Sequence, residues 1–159
     1  MELKTKVNAE DGKQELFISR TFDISLALLF KAYTDPAIVA QWMGTKVVKL
    51  ENRTHGSYQF ETSDPNGNIV FRANGIIHQF IPEQKITRTF EMENSPFGIQ
   101  LEFLEFEALT ADTSKLTIQS IYRTTALRDQ MLQLPFKKGL NLAHQRLEDL
   151  LKNKKDQNV

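Results

Sequence analysis

The stretch Pro135–Lys152, PFKKGLNLAHQRLEDLLK, constrains what this chain can fold into more than any other. Phe136, Leu140, Ala143, Leu147, Leu150 and Leu151 recur at helical spacing and give one apolar face over about five turns. Lys137, Lys138, Gln145, Arg146, Glu148 and Asp149 fill the other side, and Pro135 suits a first helical position, where no N–H is needed. A helix of that length spans about 27 Å. Six or seven strands about 4.8 Å apart make a sheet of similar width. The rod needs a surface to lie on, and the preceding chain supplies one.

From Lys46 to Thr124 the apolar period is two. Val48 and Leu50, then Tyr58, Phe60 and Thr62, alternate with polar neighbours, with Gly56 at the turn between them. Asp64-Pro65-Asn66-Gly67, Pro82-Glu83-Gln84, Ser95-Pro96-Phe97-Gly98 and Ala111-Asp112-Thr113-Ser114 are turn signals. Between them Ile69–Ile81, Lys85–Glu93, Ile99–Leu109 and Lys115–Thr124 read as strands. Gly75, inside the longest, predicts a kink or a close approach of other atoms. Hairpin after hairpin makes an antiparallel meander whose apolar face has to be covered, and the terminal helix is the longest cover available.

Upstream, Gln14–Phe22 alternates as a first strand, interrupted by Arg20. Asp23 or Ser25 caps a helix over SLALLFKAYT, and Asp35 with Pro36 starts a second that Gly44 closes. Thr124–Leu134 is either a short helix or a lid-like loop. Residues 1–13 are polar and expected to be flexible, residues 14–152 form one domain, and 153–159 are expected to be a disordered tail.

Twenty basic and twenty acidic residues cancel, and no basic stripe precedes Lys152, so nucleic acid is not an expected partner. The absence of cysteine excludes disulfides and thiolate chemistry. The N-terminal residues lack the apolar centre of a signal peptide, and no apolar run reaches the twenty or so residues that insert in a membrane; a cytoplasmic protein is expected. His55, His78 and His144 fall on separate elements, so no metal is expected. No nucleophile elbow, glycine-rich phosphate loop or HExxH motif is present, and no cofactor is expected. Eleven phenylalanines, three tyrosines and one tryptophan fall mostly on strands or on the two small helices, where they make either a filled core or an apolar pocket.

The segments RTFDISLALLFKAYTDPAIVAQWMG, HGSYQF, DPNG, Gly75 through Ile81-Pro82, and GLNLAHQRLEDLL follow one another in this order. Together they resemble the START and Bet v-type helix-grip superfamily (SRPBCC), and within it the single-domain proteins named after the activator of the HSP-90-type chaperone ATPase. The resemblance covers about residues 14–152. It implies an α+β helix-grip fold: a curved antiparallel sheet of six to seven strands around a long C-terminal helix, with two short helices after the first strand. It also implies an elongated hydrophobic cavity between helix and sheet. Relatives of the superfamily bind lipids, sterols and polyketides, a few catalyse cyclisation or dehydration, and the namesake contacts a chaperone. This chain departs from the pattern at Met43, Thr45, Leu140 and His144, where tryptophan, proline, tryptophan and leucine are usual. Leu140 then leaves a roomier pocket, and His144 puts an ionisable group on or beside the buried stripe.

The expected function is therefore non-catalytic binding of a small apolar or amphipathic molecule by a monomer or homodimer. The alternatives are a chaperone regulator and a polyketide cyclase-like enzyme working through His144 or Glu102. The expected cavity residues are Trp42, Met43, Tyr58, Phe60, Phe71, Phe90, Ile118, Tyr122, Leu140, His144 and Leu147. His144, Tyr58 and Tyr122 are the candidates for orienting a ligand. For His144 the favoured alternative is a histidine bonded to a neighbour. Gln100 and Glu102 fall in phase with Leu104 and Phe106, so either a bulge resets the strand or Glu102 faces inward; the exposed, bulged form is favoured. Arg20 and Arg88 either anchor an acidic headgroup or, as favoured, pair with acidic residues at the sheet margin.

Overall fold

The computed structural model describes residues 3–157. In chain order the elements are β1 (Lys6–Asn8), β2 (Glu15–Phe22), α1 (Leu26–Thr34), α2 (Pro36–Met43), β3 (Lys46–Leu50), β4 (Ser57–Ser63), β5 (Ile69–Ile81), β6 (Lys85–Met92), β7 (Ile99–Ala108), β8 (Ser114–Ile121), α3 (Thr125–Gln133) and α4 (Phe136–Gln157). One sheet holds the eight strands in the order β1-β2-β8-β7-β6-β5-β4-β3, and every neighbouring pair is antiparallel.

The sheet has one strand more than the six to seven expected. The addition is β1, which pairs with Phe17–Ser19 of β2 inside a segment the sequence marks as loose. Its polarity serves a purpose: Thr5 is 3% exposed, and its N–H donates to Asn141 Oδ1 of α4 at 3.0 Å. At the other end α4 continues through Gln157, past residue 153, where a loose tail is expected. Residues 158–159 of that tail, and Met1 and Glu2 of the loose N-terminus, lie outside the described residues.

The small helices form where their caps dictate. Ser25 Oγ accepts from Leu28 N–H at 3.3 Å, Asp35 Oδ1 accepts from Ala37 N–H at 3.0 Å, and Gly44 takes the left-handed conformation (φ 65°) that ends α2. Of the two forms open for Thr124–Leu134, the helix is adopted, with the Thr124 hydroxyl capping Leu127 N–H at 3.1 Å. Its Arg128 donates to the backbone carbonyls of Glu10 and Glu15 at 2.6 and 3.0 Å, clamping the β1–β2 connection.

Register shifts lie between Val47 and Lys49, Thr62 and Ser63, and Ile77 and Gln79, all within β3–β6. The pairs β6–β7, β7–β8 and β8–β2 are continuous. Because bulges bend a strand and deepen its twist, bending is concentrated in the β3–β6 half. The close approach at Gly75 is made by Tyr58: a Cβ there would collide with the Tyr58 ring and the Thr89 carbonyl, and Tyr58 Oη donates to that carbonyl at 2.6 Å.

Burial along α4 is uneven. Phe136 and Leu140 are half-buried, whereas Leu147 and Leu151 have no exposed surface. The later turns are also tied by polar contacts. Glu148 Oε1 accepts from Asp23 N–H at 2.7 Å, Glu148 Oε2 lies 3.4 Å from Arg20 Nη2, and Arg146 Nε donates to the Trp42 carbonyl at 3.1 Å.

Candidate functional site

Under the first turns of α4 the sheet does not close. A cavity of about 280 Å³ lies between helix and sheet, bounded also by α1, α2 and α3. Most of its wall is apolar: Ile18, Val39, Trp42, Met43, Phe60, Phe90, Met92, Ile118, Met131, Phe136, Leu140 and Ala143. Partly exposed Met43, Met92, Phe136 and Leu140 mark where it meets solvent. At about 30 Å³ per water, the space suits a molecule of roughly ten non-hydrogen atoms. A larger hollow, about 460 Å³, lies near Lys4, Lys6 and Lys115, but it is an open depression on the outside of β1 and β2.

The strand register builds the cavity's polar end. It places Arg88 opposite Glu102, and Glu102 opposite Ser120, so the three stand side by side on β6, β7 and β8. Arg88 Nε donates to Glu102 Oε1 at 3.0 Å, with side chains 12% and 14% exposed. The Arg88 guanidinium lies 5.0 Å over the Tyr58 ring, a cation–π contact that holds it flat. Burial works against the Arg88 charge while the Glu102 carboxylate bonded to it favours that charge, and its pKa stays raised. Among the described residues neither Arg88 Nη group has a hydrogen-bond acceptor.

Next along the same face of β7 is Gln100, 5% exposed and on the cavity wall, opposite Phe90. Its Oε1 is buried with no hydrogen-bond partner among the described residues. Buried polar atoms almost always find one, so an orphan amide on a cavity wall asks for a ligand. Tyr33 and Tyr122 complete this end. Burial pushes both phenols above the ordinary tyrosine range, so they remain neutral.

Of the expected cavity residues, Trp42, Met43, Phe60, Phe90, Ile118, Tyr122 and Leu140 stand on the wall. Tyr58, Phe71, His144 and Leu147 do not. Tyr58 lies beneath Arg88 rather than beside the space, and Phe71 packs against the core as a partly buried side chain. Leu147 follows Leu140 and Ala143 on the same face of α4 but further along, where the helix is fully buried, and His144 stands beside it. There His144 is fully buried: Nδ1 is 2.9 Å from Thr5 Oγ1, Nε2 is 3.3 Å from Tyr33 Oη, and Phe22 packs edge-on at 5.4 Å. Burial, and next the Arg20 charge, push its pKa down to about 3, so the ring is neutral. It reaches the cavity wall through Tyr33 and through the Trp42 ring, 6.2 Å away between centroids.

Two favoured sequence readings need correction. Glu102 faces inward, because no bulge resets β7 and Arg88 compensates its charge from the next strand. Arg20 and Arg88 pair with glutamates inside the fold rather than at its margin. Gln100, Ser120 and Tyr33 were absent from the expected cavity set, although Gln100 and Glu102 already stood in phase with buried Leu104 and Phe106. Among the described residues no helix is long and apolar enough to cross a membrane, and no cluster of His, Asp or Glu side chains could hold a metal.

A bent antiparallel sheet with a long terminal helix laid across a partly apolar cavity defines the helix-grip class of α+β proteins. Residues 23–152 match the family described as Activator of Hsp90 ATPase homolog 1-like protein, and this chain belongs to it. No curated protein sequence matches significantly. Solved structures share the fold at low identity. One from Rhodobacter sphaeroides superposes with a TM-score of 0.82 at 18% identity, covering 94% of this chain and 99% of that one. One from Staphylococcus epidermidis gives 0.75 at 22% identity, covering 97% and 95%. DynU16, from the dynemicin biosynthetic locus, gives 0.68 at 16% identity, covering 88% of this chain and 48% of its own.

Proposed function

We propose that this protein binds a small, mainly apolar molecule with a polar end, in the cavity under α4, without changing it chemically. The observation that supports this is a space walled mostly by apolar side chains, with an unpartnered buried amide, Gln100, at one end. A ligand burying about 200 Å² of apolar surface, the scale of one aromatic side chain, gains about 5 kcal/mol. Association costs reduce that, so apolar contact alone points to affinities in the millimolar range.

Native mass spectrometry of the purified protein, together with displacement of the fluorescent probe ANS, tests the reading. Uptake by the wild type and its loss in Leu140→Trp, which fills the space, are the expected results. No uptake of any apolar probe counts against binding. The cyclase-like alternative has Glu102 as its wall carboxylate, with one oxygen already engaged by Arg88. The chaperone alternative draws on the family description, and a chaperone ATPase assay with the purified protein tests it.

A further inference from the structure

Resting on that binding reading, we infer that the cavity selects a neutral headgroup carrying both a hydrogen-bond donor and an acceptor, of which a primary carboxamide is the type. The donors and acceptors on the wall dictate this. Arg88 presents Nη groups that have no acceptor among the described residues, while its charge is already matched by Glu102 at 3.0 Å. Glu102 Oε2 and Gln100 Oε1 present lone pairs that meet no donor among the described residues. The polar end is therefore net neutral and offers donors beside acceptors.

A carboxylate can take the Arg88 N–H groups, but it brings a second negative charge against Glu102 and offers nothing to Gln100 Oε1. An ammonium suits the two acceptors and faces the Arg88 charge. Each charged head also loses its hydration in a space this small. A hydrocarbon leaves the Gln100 amide unsatisfied, a loss that polar sites enforce strongly. A carboxamide accepts from Arg88 with its oxygen and donates with its nitrogen to Gln100 and Glu102. Because amide pairs with amide in either sense, it satisfies Gln100 whichever way that side chain is turned.

The test compares four ligands of one shape and about the right size: 3-phenylpropanamide, 3-phenylpropanoate, 3-phenylpropylamine and propylbenzene. Titrations by protein-observed NMR at pH 7 give the four dissociation constants. The amide is expected to bind at least about tenfold tighter than the other three. In Gln100→Leu that advantage over propylbenzene shrinks to about threefold or less, while propylbenzene itself still binds. If all four bind wild-type protein with similar constants, or the carboxylate or amine leads, the headgroup inference is overturned and the binding reading stands. If none binds up to millimolar concentration, the binding reading falls and this inference falls with it.

Discussion

Arg20 and Arg88 invite comparison because their settings begin alike. Each is on a strand, each is largely withdrawn from solvent (side chains 0% and 12% exposed), each lies about 5 Å over an aromatic ring (5.1 Å to Phe22, 5.0 Å to Tyr58), and each faces one glutamate. Around Arg20 the hydrogen bonds are nearly complete. Nη1 donates to Thr5 Oγ1 and Asn141 Oδ1, Nη2 to Gln145 Oε1 and Glu148 Oε2, and only Nε is left over. Around Arg88 the pattern is inverted: Nε is engaged and the two Nη groups are not. The first arrangement closes β1, β2 and α4 on one another. The second leaves its hydrogen-bonding capacity facing an unfilled volume. Two identical side chains thus differ in how far the chain itself supplies their partners.

The largest expected effect breaks the closed side. Arg20→Met strands Glu148, Asn141 and Gln145, and a loss of about 3–5 kcal/mol in urea unfolding is expected. Arg88→Met should cost less, about 1–3 kcal/mol, because Glu102 can hydrate through the cavity. It should also erase discrimination among headgroups. If the two variants unfold at the same urea midpoint, the contrast drawn here is mistaken.

A smaller effect sharpens the contrast through pH. His144 belongs to the closed network and is neutral in the folded protein, with a pKa near 3 against 6.5 in an unfolded chain. Its contribution is complete above about pH 6.5 and is lost as pH falls toward 3, at up to about 1.4 kcal/mol per unit. His144→Gln lacks that share of the slope, so its urea midpoint should fall less than that of the wild type between pH 6.5 and 4.5. Parallel slopes would remove His144 as the cause. The smallest expected effect is on the open side: Leu140→Trp should change stability by less than about 1 kcal/mol while blocking ligand uptake. The same replacement at Leu147, which has no exposed surface, should instead destabilise the protein by several kcal/mol.

Much of this architecture was legible in residue order, because local chemistry sets it. Ser25, Asp35 and Gly44 mark the ends of the small helices, Asp64–Gly67 turns β4 into β5, and period-two alternation carries the meander. Three residues of β1 escaped, since so short a strand shows no period and owes its place to partners far along the chain. Glu102 was misjudged because its compensation depends on register: Arg88 faces it only once the turn near Ser95–Gly98 aligns β6 with β7. A pairing drawn around that turn would have found it. His144 was correctly placed at the buried stripe of α4, but which edge of that stripe meets the open space depends on how the helix crosses the sheet. Nothing local encodes that crossing.

The uneven seating of α4 leaves its first turn as the lightly held end, ahead of ties that begin at Asn141. Raising Phe136 through Leu140 gives up half-hidden contacts and leaves Asn141, Leu147, Leu151 and the Asp23 tether in place. If the cavity binds as proposed, a guest would pass beneath that end without the domain unfolding.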